Sequence, residues 1–170
     1  VIKTARGMGG TVDMLFGSTA MHLMRKCPCP VWLIKPDQGP RFLRVMAAVD
    51  VAPPEVEENN LNSKIIELAT SLTRLEKSEL HIVHAWENPD ISTWTGGHEY
   101  SPSDIKMLVG ETKGMPIKWL DDFLYHYDLQ HLQYHKHVLP GLAGEVIPEF
   151  AEQHQIDLIV MGTVGRVGIP

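Results

Sequence analysis

Four short apolar runs recur along the chain with a helix-compatible stretch between neighbours: FLRVMAAVD at 42–50, ELHIVHAW at 79–86, LQYHKHVL at 132–139 and DLIVMG at 157–162. Runs of this length rich in aliphatic and β-branched residues read as strands. Between the first two, Leu61, Ile65, Leu68, Leu72 and Leu75 step by four and three, which predicts one apolar face of a helix over about 58–76. A second helix is weak at Gly114 and Pro116 and firm from Ile117 to Tyr127. A third lies in PGLAGEVIPEFAEQH (140–154), with Val146, Ile147 and Phe150 inward. Strands alternating with helices imply an α/β fold with a parallel sheet covered on both faces. In that sheet DLIVMG is expected to be buried throughout, and the polar run 132–139 to lie at an edge.

The two ends of the chain repeat one another. VIKTARG (1–7) aligns with IVMGTVG (159–165), both apolar runs entering a glycine loop. The first copy continues into a helix from Ser18 to Lys26, with Ser18 as N-cap, and a strand Val31–Lys35. The expected organisation is one period of a tandem repeat. Residues 1–36 are the loop, helix and strand that close a first domain, 37–41 are a linker, and 42–170 are a second domain cut within its glycine loop. A permuted single domain would require PDQGPR (36–41) to span about 20 Å from the end of one strand to the start of another. Six residues reach at most about 21 Å, so two domains explain the sequence with less strain.

Charge and composition narrow the partners. The net charge of −6, from 15 basic and 21 acidic residues, disfavours nucleic acid and anionic membranes. No apolar run approaches the ~20 residues of a membrane span, and the first residues carry no secretory signal pattern. Cys27 and Cys29 form a C-x-C pair, with Cys27 read as a buried helix-end residue and Cys29 as a turn residue; this is neither a redox C-x-x-C nor a disulfide framework. A cytoplasmic, reduced protein is expected.

Two residues stand where chemistry is expected. Asp50 ends the first strand and Gly162 the fourth, and in a doubly wound order these strands are neighbours whose carboxyl ends border a ligand crevice. A glycine loop there lets backbone N–H groups approach phosphate, and a carboxylate can accept hydrogen bonds from ribose. A tight turn with no ligand explains an isolated G-x-x-G equally well. His135 and His137 share one face of a strand, the pair a metal would use, although a solvated edge is the favoured reading and a metal is not expected. His81 and His84 have opposite parity and are not expected to add to a site. Ile91, Trp94 and Tyr100 could anchor the long 87–116 segment or line an apolar pocket beneath it. No nucleophile elbow, complete Walker loop or hydrolytic carboxylate pair is present.

VMAAVD at a strand end, LPGLAGEVIPEFAEQHQIDLIVMGTVGR and GSTAMHLMRKCPCPVWLIK together resemble the universal stress protein family, in its tandem-domain form, over nearly the whole chain. The resemblance implies a Rossmann-like, doubly wound five-stranded parallel sheet of order 3-2-1-4-5, without its last helix and strand in the second domain. It also implies an ATP motif, G-x2-G-x9-G-[ST], with an aspartate after the first strand. Carried over residue by residue, Val49, Asp50 and Ala85 would line the adenine–ribose side, and Met161, Gly162, Thr163, Val164 and Gly165 would begin the phosphate loop. In the first-domain segment Gly7, Gly17 and Ser18 match, whereas Thr4 replaces the motif's first glycine. The implied function is stress-response regulation with ATP or another adenine nucleotide as ligand and at most slow ATP hydrolysis. The implied partners are the nucleotide and the protein's own other domain or a second subunit. The alternatives are a carrier of an apolar or acyl ligand under 87–116 and an interaction module with an empty site.

Overall fold

The computed structural model describes residues 1–4, 19–20, 22–34, 39, 41–51, 60–87 and 114–162. In chain order the elements are β1 (Ile2–Thr4), β2 (Trp32–Ile34), β3 (Arg44–Ala48), α1 (Asn60–Glu76), β4 (Glu79–Trp86), β5 (Tyr134–Pro140), α2 (Ala143–Gln153) and β6 (Leu158–Met161). Residues 22–26 and 114–124 are also helical. Two compact units are present, the larger being Phe42–Gly162. In the smaller unit β1 and β2 pair in parallel, Ile2 opposite Trp32 and Thr4 opposite Ile34. Ser18, the expected N-cap of its helix, lies outside the described residues.

The larger unit is a four-stranded sheet of order β5-β4-β3-β6, parallel at every pairing. Parallel neighbours require crossover connections, and α1 and α2 supply two of them. The α/β class and the parallel sheet are as the sequence alternation predicts. The four strands occupy the first four places of the order 3-2-1-4-5, and a fifth strand remains a proposal. The polar β5 is an edge strand.

The core lies on both faces of this sheet. On one face Val45, Ala47, Val49, Leu80, Ile82 and Val160 meet Ile65, Ile66 and Ala69 of α1 and Leu120, Phe123 and Leu124 of the helical stretch 114–124. On the other Met46, Ala48 and Val83 meet Ile147 and Phe150 of α2, with Val146 partly buried beside them.

Four expectations need correction. The buried stripe of α1 is Ile65, Ile66, Ala69, Thr70 and Thr73, while Leu68 and Leu75 are 40% and 75% exposed. Thr70 joins the stripe because its hydroxyl donates to the Ile66 carbonyl at 2.8 Å, so its polar group is satisfied within the helix. The helix expected firm over 117–127 already includes 114–116 and ends at 124. Pro116 lies within the described part of this helix, and its ring is fully buried. Finally β6 is not buried throughout. Ile159 and Met161 are 38% and 53% exposed, because β6 ends the described sheet and they point to the face that α2 covers only in part. Cys27 is likewise half-buried rather than buried, with its Sγ 3.3 Å from Cys29 Sγ.

Three local devices fix the frame. Asp157 Oδ2 accepts from the N–H groups of Leu43 (2.8 Å) and Arg44 (2.9 Å), tying the start of β6 to the start of β3. Gly141 joins β5 to α2 with φ +129°, and a Cβ there would sit 2.7 Å from Val146 Cγ1, so only glycine fits. Both labelled helices stop in the same way. Lys77 and Gln155 take φ 56° and 51°, and the next N–H in each case returns to the helix, Ser78 to Thr73 and Ile156 to Ala151.

Candidate functional site

The parallel register puts Ala48 opposite Met161. Asp50 and Gly162 therefore leave the same end of adjacent strands, as expected. The first turn of α1 closes on them. Asn62 Oδ1 accepts from the Asp50 N–H at 3.0 Å, and its Nδ2 donates to the Asp50 carbonyl at 2.6 Å. This double bond pair holds the backbone at Asp50 and leaves the residue exposed to solvent. Gly162 packs against the same turn: a Cβ there would meet Leu61 Cδ2 at 2.6 Å. Part of the requirement for glycine at 162 is therefore close packing on α1. The first turn of α1 carries no acidic side chain, and the positive end of its backbone dipole lies at this corner.

Val49 is buried, and its N–H donates to the Val83 carbonyl at 2.9 Å, continuing the ladder past β3. Ala85 is half-buried and packs with the cluster on the α2 face, opposite the face that buries Val49. Met161 is half-exposed at the end of β6. Thr163, Val164, Gly165, Gly7, Gly17 and Ser18, together with Ile91, Trp94 and Tyr100, lie outside the described residues.

His84 packs beside this corner, on the opposite face of β4 from His81, as their parity predicts. It is 3% exposed, its Nδ1 lies 3.2 Å from the Val49 carbonyl, and its Nε2 is buried without a hydrogen-bond partner. Burial lowers its pKa, while the Val49 carbonyl and the nearby Asp50 charge act in the opposite direction. Nδ1–H donating to Val49 is the neutral tautomer that fits. The sequence signal was a polar residue inside the apolar run HIVHAW, which parity alone could not place next to Asp50.

A hollow of about 440 Å³ lies elsewhere, lined by residues such as Thr70, Arg74, Tyr127 and His131, and does not include Asp50 or Gly162.

At the other end of the sheet, on the α2 face, a second histidine group forms. His81 is the register partner of His135, so it joins His135 and His137, which the sequence reading had kept apart from it. His81 Nδ1 lies 3.2 Å from His137 Nε2, and His154, at the end of α2, has its ring centroid 5.7 Å from each of those two rings. Phe150 packs on His154 at 4.0 Å and on His137 at 4.6 Å. Glu79 Oε1 takes His135 Nε2 at 2.7 Å and lies 3.8 Å from His81 Nε2. Burial first, and the neighbouring imidazoles second, hold His137 down at about 4. Burial also lowers His81, against the pull of Glu79. Among the described residues no three histidine, cysteine or acidic side chains converge on one metal position as they stand. No described helix is long and apolar enough to cross a membrane.

Comparison with known proteins gives this geometry a family. The family model described as Universal stress protein family matches residues 1–35 and 42–170. Universal stress protein E of Escherichia coli (strain K12) is 32% identical over 171 residues, covering 99% of this chain and 52% of the relative. A functionally unknown protein, PA1789, from Pseudomonas aeruginosa PAO1 superposes with a TM-score of 0.71 at 24% identity, covering 99% of this chain and 53% of that one. A universal stress protein from Archaeoglobus fulgidus superposes with a TM-score of 0.58 at 21% identity, covering 96% and 53%. The chain thus spans about half the length of these proteins. With its parallel α/β sheet and its match over both segments, the chain belongs to the universal stress protein family.

Proposed function

We propose that the protein carrying this chain serves a stress response by binding an adenine nucleotide, ATP or a close relative, at the carboxyl ends of β3 and β6. Family membership supports the stress-response role. The observation that supports the site is the meeting of Asp50, Gly162 and the first turn of α1 at one corner of the sheet. The exposed carboxylate accepts ribose hydroxyls, and the loop opened by Gly162 offers backbone N–H groups to phosphate. Val49 backs the corner, with Ala85 on the adjoining strand, and Thr163, Val164 and Gly165 continue the phosphate loop. In this reading residues 1–36 close a first domain, whose Gly7, Gly17 and Ser18 are the worn counterpart of the motif. Thr4 there adds a Cβ that hinders phosphate approach. In this reading hydrolysis is at most slow and the nucleotide acts as a bound signal.

The test is calorimetric titration of ATP into the full-length protein, wild type against Asp50→Ala and Gly165→Val. Loss of one charge-assisted hydrogen bond, worth roughly 1.5–3 kcal/mol, weakens binding about tenfold or more in Asp50→Ala. Gly162→Ala is a poor probe, since its Cβ collides with Leu61 whether or not nucleotide binds. Unchanged affinity in both variants contradicts the proposal.

A further inference from the structure

Cys27 and Cys29, the two cysteines of the chain, stand in the link between the helix at 22–26 and β2. The sequence reading gave their C-x-C spacing no role, but the fold brings the two sulfurs to 3.3 Å from one another. Both are free thiols, Cys29 exposed and Cys27 half-buried. We propose that this pair is a reversible oxidation site, at which a hydroperoxide converts the two thiols to an intramolecular disulfide, Cys27 reacting first and Cys29 resolving.

The backbone holds the sulfurs together. The Cys27 N–H donates to the Leu23 carbonyl at 2.9 Å, so the helix end fixes where Cys27 stands. Beyond Cys29 and Pro30, Trp32 begins β2 in register with Ile2 of β1, which anchors the link at its other end. Pro28 is the residue between the cysteines, and its ring locks one backbone angle. A disulfide bond is about 2 Å long, so the sulfurs have roughly 1 Å to close. The local hydrogen bonds assign the roles. The Cys29 N–H, and after it the Cys29 thiol, lower the Cys27 pKa against the effect of its desolvation. The thiolate is the reactive form of cysteine, so Cys27 is the sulfur that meets the oxidant. A thiol of lowered pKa, open to solvent and beside a second cysteine, is the arrangement that senses oxidants. In the first step the Cys27 thiolate attacks a peroxide oxygen. An S–O bond forms, the O–O bond breaks, and the alkoxide or hydroxide that leaves takes a proton from water. Cys27 becomes a sulfenic acid, oxidised by two electrons as the peroxide is reduced. In the second step the Cys29 sulfur attacks the Cys27 sulfur. The S–S bond forms, the S–O bond breaks, and the departing hydroxide leaves as water with the proton that Cys29 gives up. Exposure of Cys29 and the smallness of the ring leave the disulfide labile. Two equivalents of a small thiol restore both cysteines and depart as their own disulfide.

The experiment treats the reduced full-length protein with hydrogen peroxide, alkylates the remaining thiols with iodoacetamide and digests it with trypsin without reductant. Trypsin cuts after Lys26 and Arg41, and Pro36 protects Lys35, so both cysteines fall in the one peptide 27–41. The expected result is this peptide without alkyl groups and lighter than the dithiol by two hydrogens. Dithiothreitol returns it to the doubly alkylated form. With dimedone present, Cys29→Ser carries the adduct on Cys27, and Cys27→Ser loses the adduct at the same peroxide dose. Circular dichroism shows that the variants fold. A doubly alkylated peptide from the folded, peroxide-treated protein overturns the proposal, as does a sulfinic acid in place of the disulfide. A disulfide that forms at the same rate in urea-unfolded protein also overturns it, because the fold then contributes nothing to the pairing. Dimedone on Cys29 and not on Cys27 contradicts the assigned order. The readout involves no nucleotide, so it stands apart from the Asp50→Ala titration.

Discussion

His84 sits where an aliphatic side chain would pack without penalty, and the price of its ring is partly offset by the Val49 carbonyl 3.2 Å from Nδ1. The ring is neutral because burial disfavours its charge. Its folded pKa is therefore below the ordinary 6.5. Between the two values the unfolded chain binds more protons than the folded one, so stability increases with pH. The His84 contribution is complete above pH 6.5 and is lost as pH falls through the folded value. Urea midpoints of wild type and His84→Asn, measured from pH 7.5 to 4.5, should converge as the pH drops, since asparagine keeps a donor near Val49 and removes the titration. Parallel curves contradict this reading. Of the two histidines in HIVHAW, the sequence shows that they face opposite sides of the sheet. It does not show that His81 falls opposite His135, because register belongs to the paired strands and not to either run alone. Asp157 is similar: its two backbone bonds across to β3 leave no trace in local sequence.

The ends of α1 and α2 are closed by non-glycine residues in the left-handed region, Lys77 and Gln155. A left-handed conformation costs an L-residue about 1 kcal/mol or more, and glycine relieves it at the expense of a more flexible unfolded chain. Lys77→Gly is expected to stabilise the protein by roughly 0.5 kcal/mol, read as a higher urea midpoint at an unchanged slope. An equal or lower midpoint contradicts the assignment of Lys77 as a strained cap. Helix and strand existence was readable at this scale because periods of 3.6 and 2 are properties of the run itself. Burial was less readable. Leu68 and Leu75 are apolar and exposed, since the sheet presses on the Ile65–Ala69–Thr73 line of α1 and the leucines lie to one side. Ile159 and Met161 show the same limit on β6: an apolar run declares a strand, and what covers it is decided elsewhere in the chain.

At the scale of the molecule, the alternation of apolar runs and amphipathic stretches was enough for a parallel α/β sheet, because a parallel pair requires a crossover between its strands. The neighbouring positions of Asp50 and Gly162 followed from that topology. The part played by α1, through Asn62 and Leu61, did not, since it depends on how the helix docks. The histidine cluster also depends on docking, with α2 delivering His154 to β4 and β5. The central claim is that nucleotide engages the carboxyl-end corner of this sheet. Hydrogen exchange of the full-length protein with and without ATP measures it most directly. The account predicts slower exchange on ATP addition in peptides covering Val49–Val51, Asn60–Ser63 and Met161–Gly165, with Tyr134–His137 and His154 unchanged. Protection confined to other segments, or none at saturating ATP, would contradict it.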